Sequence, residues 1–564
     1  MIHIDDDSKE ERNSSSSTLD AKFITHGVYL NKKESTFMNP DVSTDMIKYL
    51  EPDIVTRMFY AQRYIEKQYE YMKKHDGMFK FVDHWLFKTL KINSLSETGD
   101  EYPKWENRNL SKRTTNWIVC VGLVTAEIMG AYLLPNSVSM LGYVPSNIML
   151  IIFFCLTVVS GGIIWWVFML LDSPEFPVKT FADIAYFIGG QPLKQLVILL
   201  QLIATILTCA VIIISGAQCV IILRDERMCW VGLLLLLSGL MMLFSLIKKL
   251  SIIGKYCLVI TFINYIALFV QLGYIGHSEP NWKNALALLG IEQGTIETYA
   301  ITPAIPLVYR VVAIANISYV FAGSVVFPEV ISELKRPWEF WKSLIVAEGL
   351  ILIVYLIFGN YIYAYQGQFS NSPSVFGVSD LKAMKGLSFI MFITCFCQSL
   401  VFGHVSCKIV YKNYIPIIIK TIKFDSKTGL LLWVIVVFFV WLSIFLIGAG
   451  VPQVSAVSAF TSALTMTPLT YVIPFLIHLY MLYKIENLSF VKEFVPFESK
   501  IEAIKFWKFV GNGNKKYWFV SFIYIAISLG AMALLGMGLW ASVEYMKHLF
   551  AVTDATSFSC KSPI

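Results

Sequence analysis

After residue 115 the chain is built from eleven runs of apolar residues, each about 20 residues long or longer. They fall at about 116–140, 147–171, 195–223, 229–247, 253–275, 308–331, 343–365, 384–410, 430–450, 455–483 and 517–545. About 20 apolar residues of helix cross the ~30 Å hydrocarbon core of a bilayer. Lipid offers the backbone no hydrogen bonds, so only helices and closed barrels can span it. A barrel would show alternating segments of about 10 residues rather than solid runs. The runs therefore predict an all-α polytopic membrane protein with eleven transmembrane helices. Composition agrees: 56% of residues are hydrophobic and only 15% charged, and mean hydropathy is +0.60. A soluble chain of 564 residues would form several domains with about a quarter of its residues charged. These features disfavour a soluble enzyme, a disordered scaffold and an outer-membrane barrel. The net charge of +6 is too modest to suggest nucleic acid.

Lys and Arg set the expected orientation. With the N-terminus inside, the inner loops and span ends carry 20 basic residues and the outer segments 7. An excess of basic residues marks cytoplasmic loops, so the N-terminus is expected in the cytoplasm and the C-terminus outside. Residues 1–115 read as a polar cytoplasmic tail, with Asp5, Asp6 and Asp7 ahead of a serine run from Ser14 to Ser17. No apolar core with a cleavage site follows Met1, so no signal peptide is expected. Aromatic stretches at Met58-Phe59-Tyr60 and Phe79-Lys80-Phe81 suggest short amphipathic helices. The tail is expected to pack loosely or to regulate turnover rather than to form a catalytic domain. Ten cysteines, mostly inside apolar runs and without CxxC spacing, argue against a metal site or disulfide framework. Cys229 and Cys560 fall on the expected outer side, and their pairing is left open.

The first and sixth runs share a spacing. Gly130 is followed by four residues and Pro135; Gly323 is followed by four residues and Pro328. Proline removes a backbone donor and clashes with the carbonyl four residues earlier, and glycine adds freedom at the same point. Each pair should interrupt its helix mid-span and free peptide groups at membrane depth, where they survive only in a protein-lined cavity. Matched interruptions in two halves of a chain are the pattern of inverted-repeat transporters with a midplane site. The expected fold is a leucine-transporter-type 5+5 inverted repeat plus one extra helix. Its parts would be the tail (1–115), a first repeat (116–275), a second repeat (276–483), and a linker, eleventh helix and short C-terminal tail (484–564).

At these segments the sequence resembles the amino acid/auxin permease family, most closely its fungal neutral amino acid permeases. Gly130-Ala131-Tyr132-Leu133-Leu134-Pro135 is similar to the family's GxLxLP, with Tyr132 replacing a Leu. Ile331-Ser332-Glu333-Leu334-Lys335-Arg336-Pro337 resembles ISELKDP, and Gly403-His404-Val405-Ser406-Cys407-Lys408 resembles GHVAAK. Phe558-Ser559-Cys560 also looks like fungal members. The likeness covers about residues 110–564. Three departures lie near the interruptions: Thr125 stands where the family's Glu would fall, Ser324 replaces a His, and Pro328-Glu329 replaces an aromatic–hydroxyl pair. The resemblance implies a permease and favours protons as the coupling ion, with sodium as the alternative and no other cofactor.

A free amino acid presents a carboxylate, an ammonium and a side chain. The carboxylate needs donors, which the interrupted first span can supply as N–H groups at Gly130 and Ala131, at the positive end of the half-helix that follows; Thr125 and Met129 are further candidate binding residues. The ammonium needs acceptors, expected from carbonyls around Tyr319, Val320 and Ala322, with Gly323 a further candidate binding residue. Cys209, Tyr319, Ser324, Cys397 and Ser399 are candidates to shape the side-chain space. Nothing in this set counters a charged side chain, so neutral substrates fit. Ionisable residues inside spans default to functional hypotheses: Glu127, Glu329 and His404 are the candidates for proton coupling, each weighed against a structural role. Arg310 is expected to snorkel to the headgroups, and Asn136 to bond freed backbone or a neighbouring span.

No Walker motif, HExxH or TVGYG filter occurs, so an ATP-driven pump, an intramembrane enzyme and a potassium-type channel are disfavoured. The sequence reads as a secondary active transporter of neutral amino acids, proton-coupled, with a small-molecule substrate and the bilayer as its partners. An amino-acid receptor on a transporter scaffold, or a carrier of another small amine or auxin-like substrate, is the alternative. The plasma membrane is expected, with the vacuolar membrane next; oligomeric state is not legible.

Overall fold

The computed structural model describes residues 53–74, 80–91, 113, 115–224, 228–246, 250–303, 305–415, 426–488, 518–552 and 557–562. Among these, every regular element is helical. Among the described residues, nine helices are long and apolar enough to cross a membrane. They are α3 (Trp117–Leu141), α4 (Tyr143–Leu171), α5 (Phe181–Leu223), α9 (Leu307–Glu333), α10 (Phe340–Gln366), α11 (Leu381–Asn413), α12 (Lys427–Gly450), α13 (Val454–Leu488) and α14 (Trp518–Val552). The fourth apolar run forms the shorter α6 (Trp230–Ser245), and the fifth forms α7 (Leu250–Ile275). The chain also forms α1 (Ile54–Lys74), α2 (Lys80–Leu90) and the short α8 (Trp282–Leu289). Large apolar side chains such as Phe262, Leu236, Phe439 and Leu529 stay exposed. An outward apolar belt of this kind is what a bilayer covers.

The third apolar run does not begin where hydropathy put it. Its helix starts at Phe181, because Thr180 and Asp183 form a capping box: the Thr180 side chain accepts from Asp183 N at 3.2 Å, and the Asp183 carboxylate accepts from Thr180 N at 3.0 Å. This satisfies donors that a helix start leaves open. At Gly190, φ is 64° and the helix kinks, a backbone that glycine tolerates and other residues resist.

The expectation of a loosely packed tail is corrected for its described part. In α1, Ile54, Val55, Met58, Phe59 and Ile65 are buried and join a core cluster with the ends of α4, α5, α9 and α13. The positions recur at helical spacing, an apolar stripe that needs a covering surface. Gln62 Nε2 ties α1 to α2 by donating to Leu90 O at 2.6 Å. Arg57 lies 3.6 Å over the Phe187 ring. Lys342 Nζ at the start of α10 reaches Asp83 Oδ2 at 3.0 Å, with the two side chains only 8% and 6% exposed, and Trp341 Nε1 donates to Asp83 Oδ1 at 3.0 Å. Nearby, Arg113 meets Asp172 at 2.7 Å. Burial pushes the Asp172 carboxyl above its ordinary value, against the pull of the guanidinium.

At the opposite end of the helices, Cys229 and Cys560 form a disulfide across 331 residues of sequence. Trp230 N donates to Cys560 O at 3.2 Å, and Phe558 N donates to Ala449 O at 2.9 Å. The last described residues therefore strap the start of α6 to the end of α12.

Candidate functional site: the paired helix interruptions

Both glycine–proline spacings interrupt a helix. In α3 the α-helix ends at Val124, a 3-10 stretch runs Thr125–Leu133, and a new α-helix starts at Leu134 with Pro135 in its first turn. Proline is tolerated there because the first turn has no acceptor for its missing N–H. In α9 the first α-helical stretch ends at Val320, and the chain turns through Phe321 and Ala322. A 3-10 turn at Gly323–Val326 then leads into Phe327–Glu333, again with Pro328 in the first turn. Neither break is extended chain: each is a tightening into 3-10 geometry, which leaves poorer hydrogen bonds than an α-helix.

The breaks touch. A Cβ built on Gly130 would stand 2.5 Å from Val320 Cγ1 and 2.8 Å from the Tyr355 hydroxyl, so only glycine fits the crossing. The carbonyls expected to meet an ammonium are partly engaged. Tyr319 O accepts from Ala322 N at 3.3 Å, and Ala322 O from Val325 N at 3.4 Å. Neighbouring helices supply the rest. Tyr355 of α10 donates to Val320 O at 3.2 Å, Thr157 of α4 to Phe321 O at 2.8 Å, and Gln201 of α5 to Val325 O at 2.9 Å. A carbonyl has two lone pairs, so each keeps room for a second donor. The Ser324 hydroxyl is fully buried in the α9 break with no hydrogen-bond partner among the described residues.

The remaining candidates divide. Thr125 is buried, its hydroxyl donating to Gly122 O at 3.2 Å. Ala131 and Gly323 are buried, while Met129 and Tyr319 are half-buried and pack on the core beside the breaks. The side chain of Glu127 lies outside those described. Glu329, one turn past the α9 break, accepts from Phe181 N and from Gln201 Nε2, both at 3.3 Å, and so ties α9 to α5. Ser399 points elsewhere: its hydroxyl donates to Phe396 O at 2.9 Å and lies 3.5 Å from Met241 Sδ of α6. Cys209 donates to Ser399 O at 3.4 Å, in the seam between α5 and α11. Cys397 is half-buried on α11. His404 is buried edge-to-face on Trp433 of α12, ring centroids 5.4 Å apart. Arg310 donates to Thr302 O at 3.2 Å, and Asn136 to Ser370 O at 3.0 Å in the loop after α10. The sequence reading did not single out Tyr355, Thr157 or Gln201. Gln201 carried a signal, an amide inside an apolar run; Tyr355 and Thr157 carried none.

The fold and these breaks define a class: a multi-pass helical membrane protein with two interrupted helices that meet where Gly130 faces Val320. A family model described as transmembrane amino acid transporter protein matches residues 113–501. The chain belongs to that family, which is one of transporters rather than enzymes. A curated protein of Gibberella moniliformis (strain M3125 / FGSC 7600), called a transmembrane transporter, is 28% identical over 219 residues, covering 37% of this chain and 44% of that protein. The match thus spans less than half of the relative's length.

Proposed function

We propose that this protein is a secondary active transporter of neutral amino acids, driven by protons, that holds its substrate between the α3 and α9 interruptions. The observation that carries the reading is the crossing of the two breaks at Gly130 and Val320. In this proposal, the 3-10 hydrogen bonds of Gly130 and Ala131 open on binding, and their peptide N–H groups hold the carboxylate. Carbonyls of Tyr319, Val320 and Ala322, with the Ser324 hydroxyl, receive the ammonium. Thr125, Met129, Gly323, Cys397 and Ser399 are retained as the wider candidate set. The described groups at the crossing are hydroxyls, carbonyls and apolar side chains, which favours an uncharged substrate side chain.

Alternating access would rock one bundle against the other around the fixed breaks. The first bundle is α3, α4, α9 and α10; the second is α5–α7 with α11–α13. Eleven crossings, in two inverted repeats of five (α3–α7 and α9–α13) plus α14, go with this proposal. So do a cytoplasmic N-terminus, an outward C-terminal strap and a plasma-membrane location. Glu127, Glu329 and His404 remain candidates for the proton, with sodium as the alternative ion. The test is uptake of a radiolabelled mixture of neutral amino acids by transport-deficient cells at two pH values, with each common amino acid as competitor. Accumulation that rises at acid pH and is competed by neutral amino acids is expected. Binding without accumulation would point to a receptor, and competition by Lys or Glu alone would refute the neutral substrate.

A further inference from the structure

Glu348 is the buried acid that the site described above does not use. It lies on α10, two turns from the end at Phe340, with no exposed surface (0%). Both carboxyl oxygens lack a hydrogen-bond partner among the described residues. A carboxylate buried without a partner is strongly disfavoured at membrane depth, so the packing seen here accommodates the neutral acid.

Its position links it to the breaks. Tyr355 follows seven residues later, on nearly the same face of α10 and about 10 Å along the axis at 1.5 Å per residue. Tyr355 bonds Val320 O and would abut a Gly130 side chain. At the other end of the same helix, Ser343 donates to Trp117 O at 2.8 Å. From Ser343 to Tyr355, α10 runs alongside α3, and Glu348 lies between these two contacts. Residues 345, 346 and 353 are exposed, whereas Leu344, Ala347 and Ile351 are buried. The acid therefore faces protein, not lipid.

On α9, which meets α10 at Tyr355, the ionisable groups are Tyr309, Arg310, Tyr319, Glu329 and Glu333, with Glu329 bonded to α5. On α3 they are Cys120, Tyr132 and Glu127, the last with its side chain outside those described. Tyr132 donates to Asn264 Oδ1 at 2.9 Å. The helix α4 offers Tyr143, at its far end, and the exposed Cys155. On α7, Tyr265 lies at the depth of the Tyr132 contact. Lys255, with its side chain also outside those described, is nine residues from Asn264, about 13 Å along the helix. Lys342 is six residues from Glu348 on α10 and is engaged with Asp83.

We propose that Glu348 binds the transported proton: it holds it while buried between α10 and α3, and releases it when opening at the α1–α2 end admits water. This rests on the proton-coupled reading above. The proton arrives from and returns to water, and no bond other than O–H forms or breaks.

The test uses the full chain in proteoliposomes, with the radiolabelled neutral amino acid mixture as probe. Accumulation under an imposed pH gradient and exchange without a gradient are both measured. With one proton per substrate, a gradient of about one pH unit supports about tenfold accumulation. Glu348→Gln should lose gradient-driven accumulation while retaining exchange, and Glu348→Asp should recover accumulation with a displaced pH midpoint. If Glu348→Gln does not fold, Glu348→Asp alone decides, because an unchanged pH profile would overturn the proposal. Wild-type accumulation that Glu348→Gln reproduces would overturn the Glu348 role and leave proton coupling standing. Wild-type protein that ignores the gradient would overturn both.

Discussion

At the scale of single residues, Gly130 bears the tightest constraint. A methyl group there would overlap Val320 Cγ1 and crowd the Tyr355 hydroxyl, and overpacking of this kind costs about 1–3 kcal/mol. Gly130→Ala is therefore expected to cut uptake at least several-fold with membrane expression retained. Trimming the struck side chain, in the pair Gly130→Ala with Val320→Ala, should recover part of it. Uptake in the double variant no better than in the single one would show that the clash is not what matters. The glycine was legible because its spacing to Pro135 repeats at Gly323 and Pro328. Tyr355, Thr157 and Gln201, which complete the α9 break, were not, because their role is a contact across 35 to 164 residues of sequence. The seam that Ser399 shares with Cys209 between α11 and α5 was also beyond the sequence: helical period gives a face, but which neighbour that face meets is decided by packing.

Among the elements, apolar runs were the most legible feature, since the bilayer demands length and hydrophobicity together. The α5 start escaped because Pro192 and the kink at Gly190 separate the short segment 181–189 from the long apolar run that follows. α8 escaped because it is only eight residues long. The docking of α1 and α2 escaped for a different reason. Their apolar stripe was visible, but the surface covering it comes from the ends of α4, α5, α9 and α13, far along the chain. The buried Asp83–Lys342 pair anchors that docking. Removing one member of a buried pair strands the other and costs about 3–5 kcal/mol. Asp83→Ala should therefore loosen α1 and α2, read as faster limited proteolysis within residues 53–91 while the apolar helices stay protected. Digestion no faster than in the wild type would show that the apolar stripe holds the pair unaided.

For the whole molecule, the helices, the disulfide strap and the docked α1–α2 pair together hold two interrupted helices against each other at depth. The family is shown by the match over residues 113–501; substrate and ion depend on groups that only transport can interrogate. The decisive measurement is accumulation of radiolabelled neutral amino acids by the purified protein in proteoliposomes under a proton gradient, compared with Gly323→Leu. The wild type should concentrate label and lose it when the gradient is collapsed, and Gly323→Leu, folded and inserted, should not concentrate it. Equal accumulation by the two proteins would contradict a substrate site at the crossing of α3 and α9.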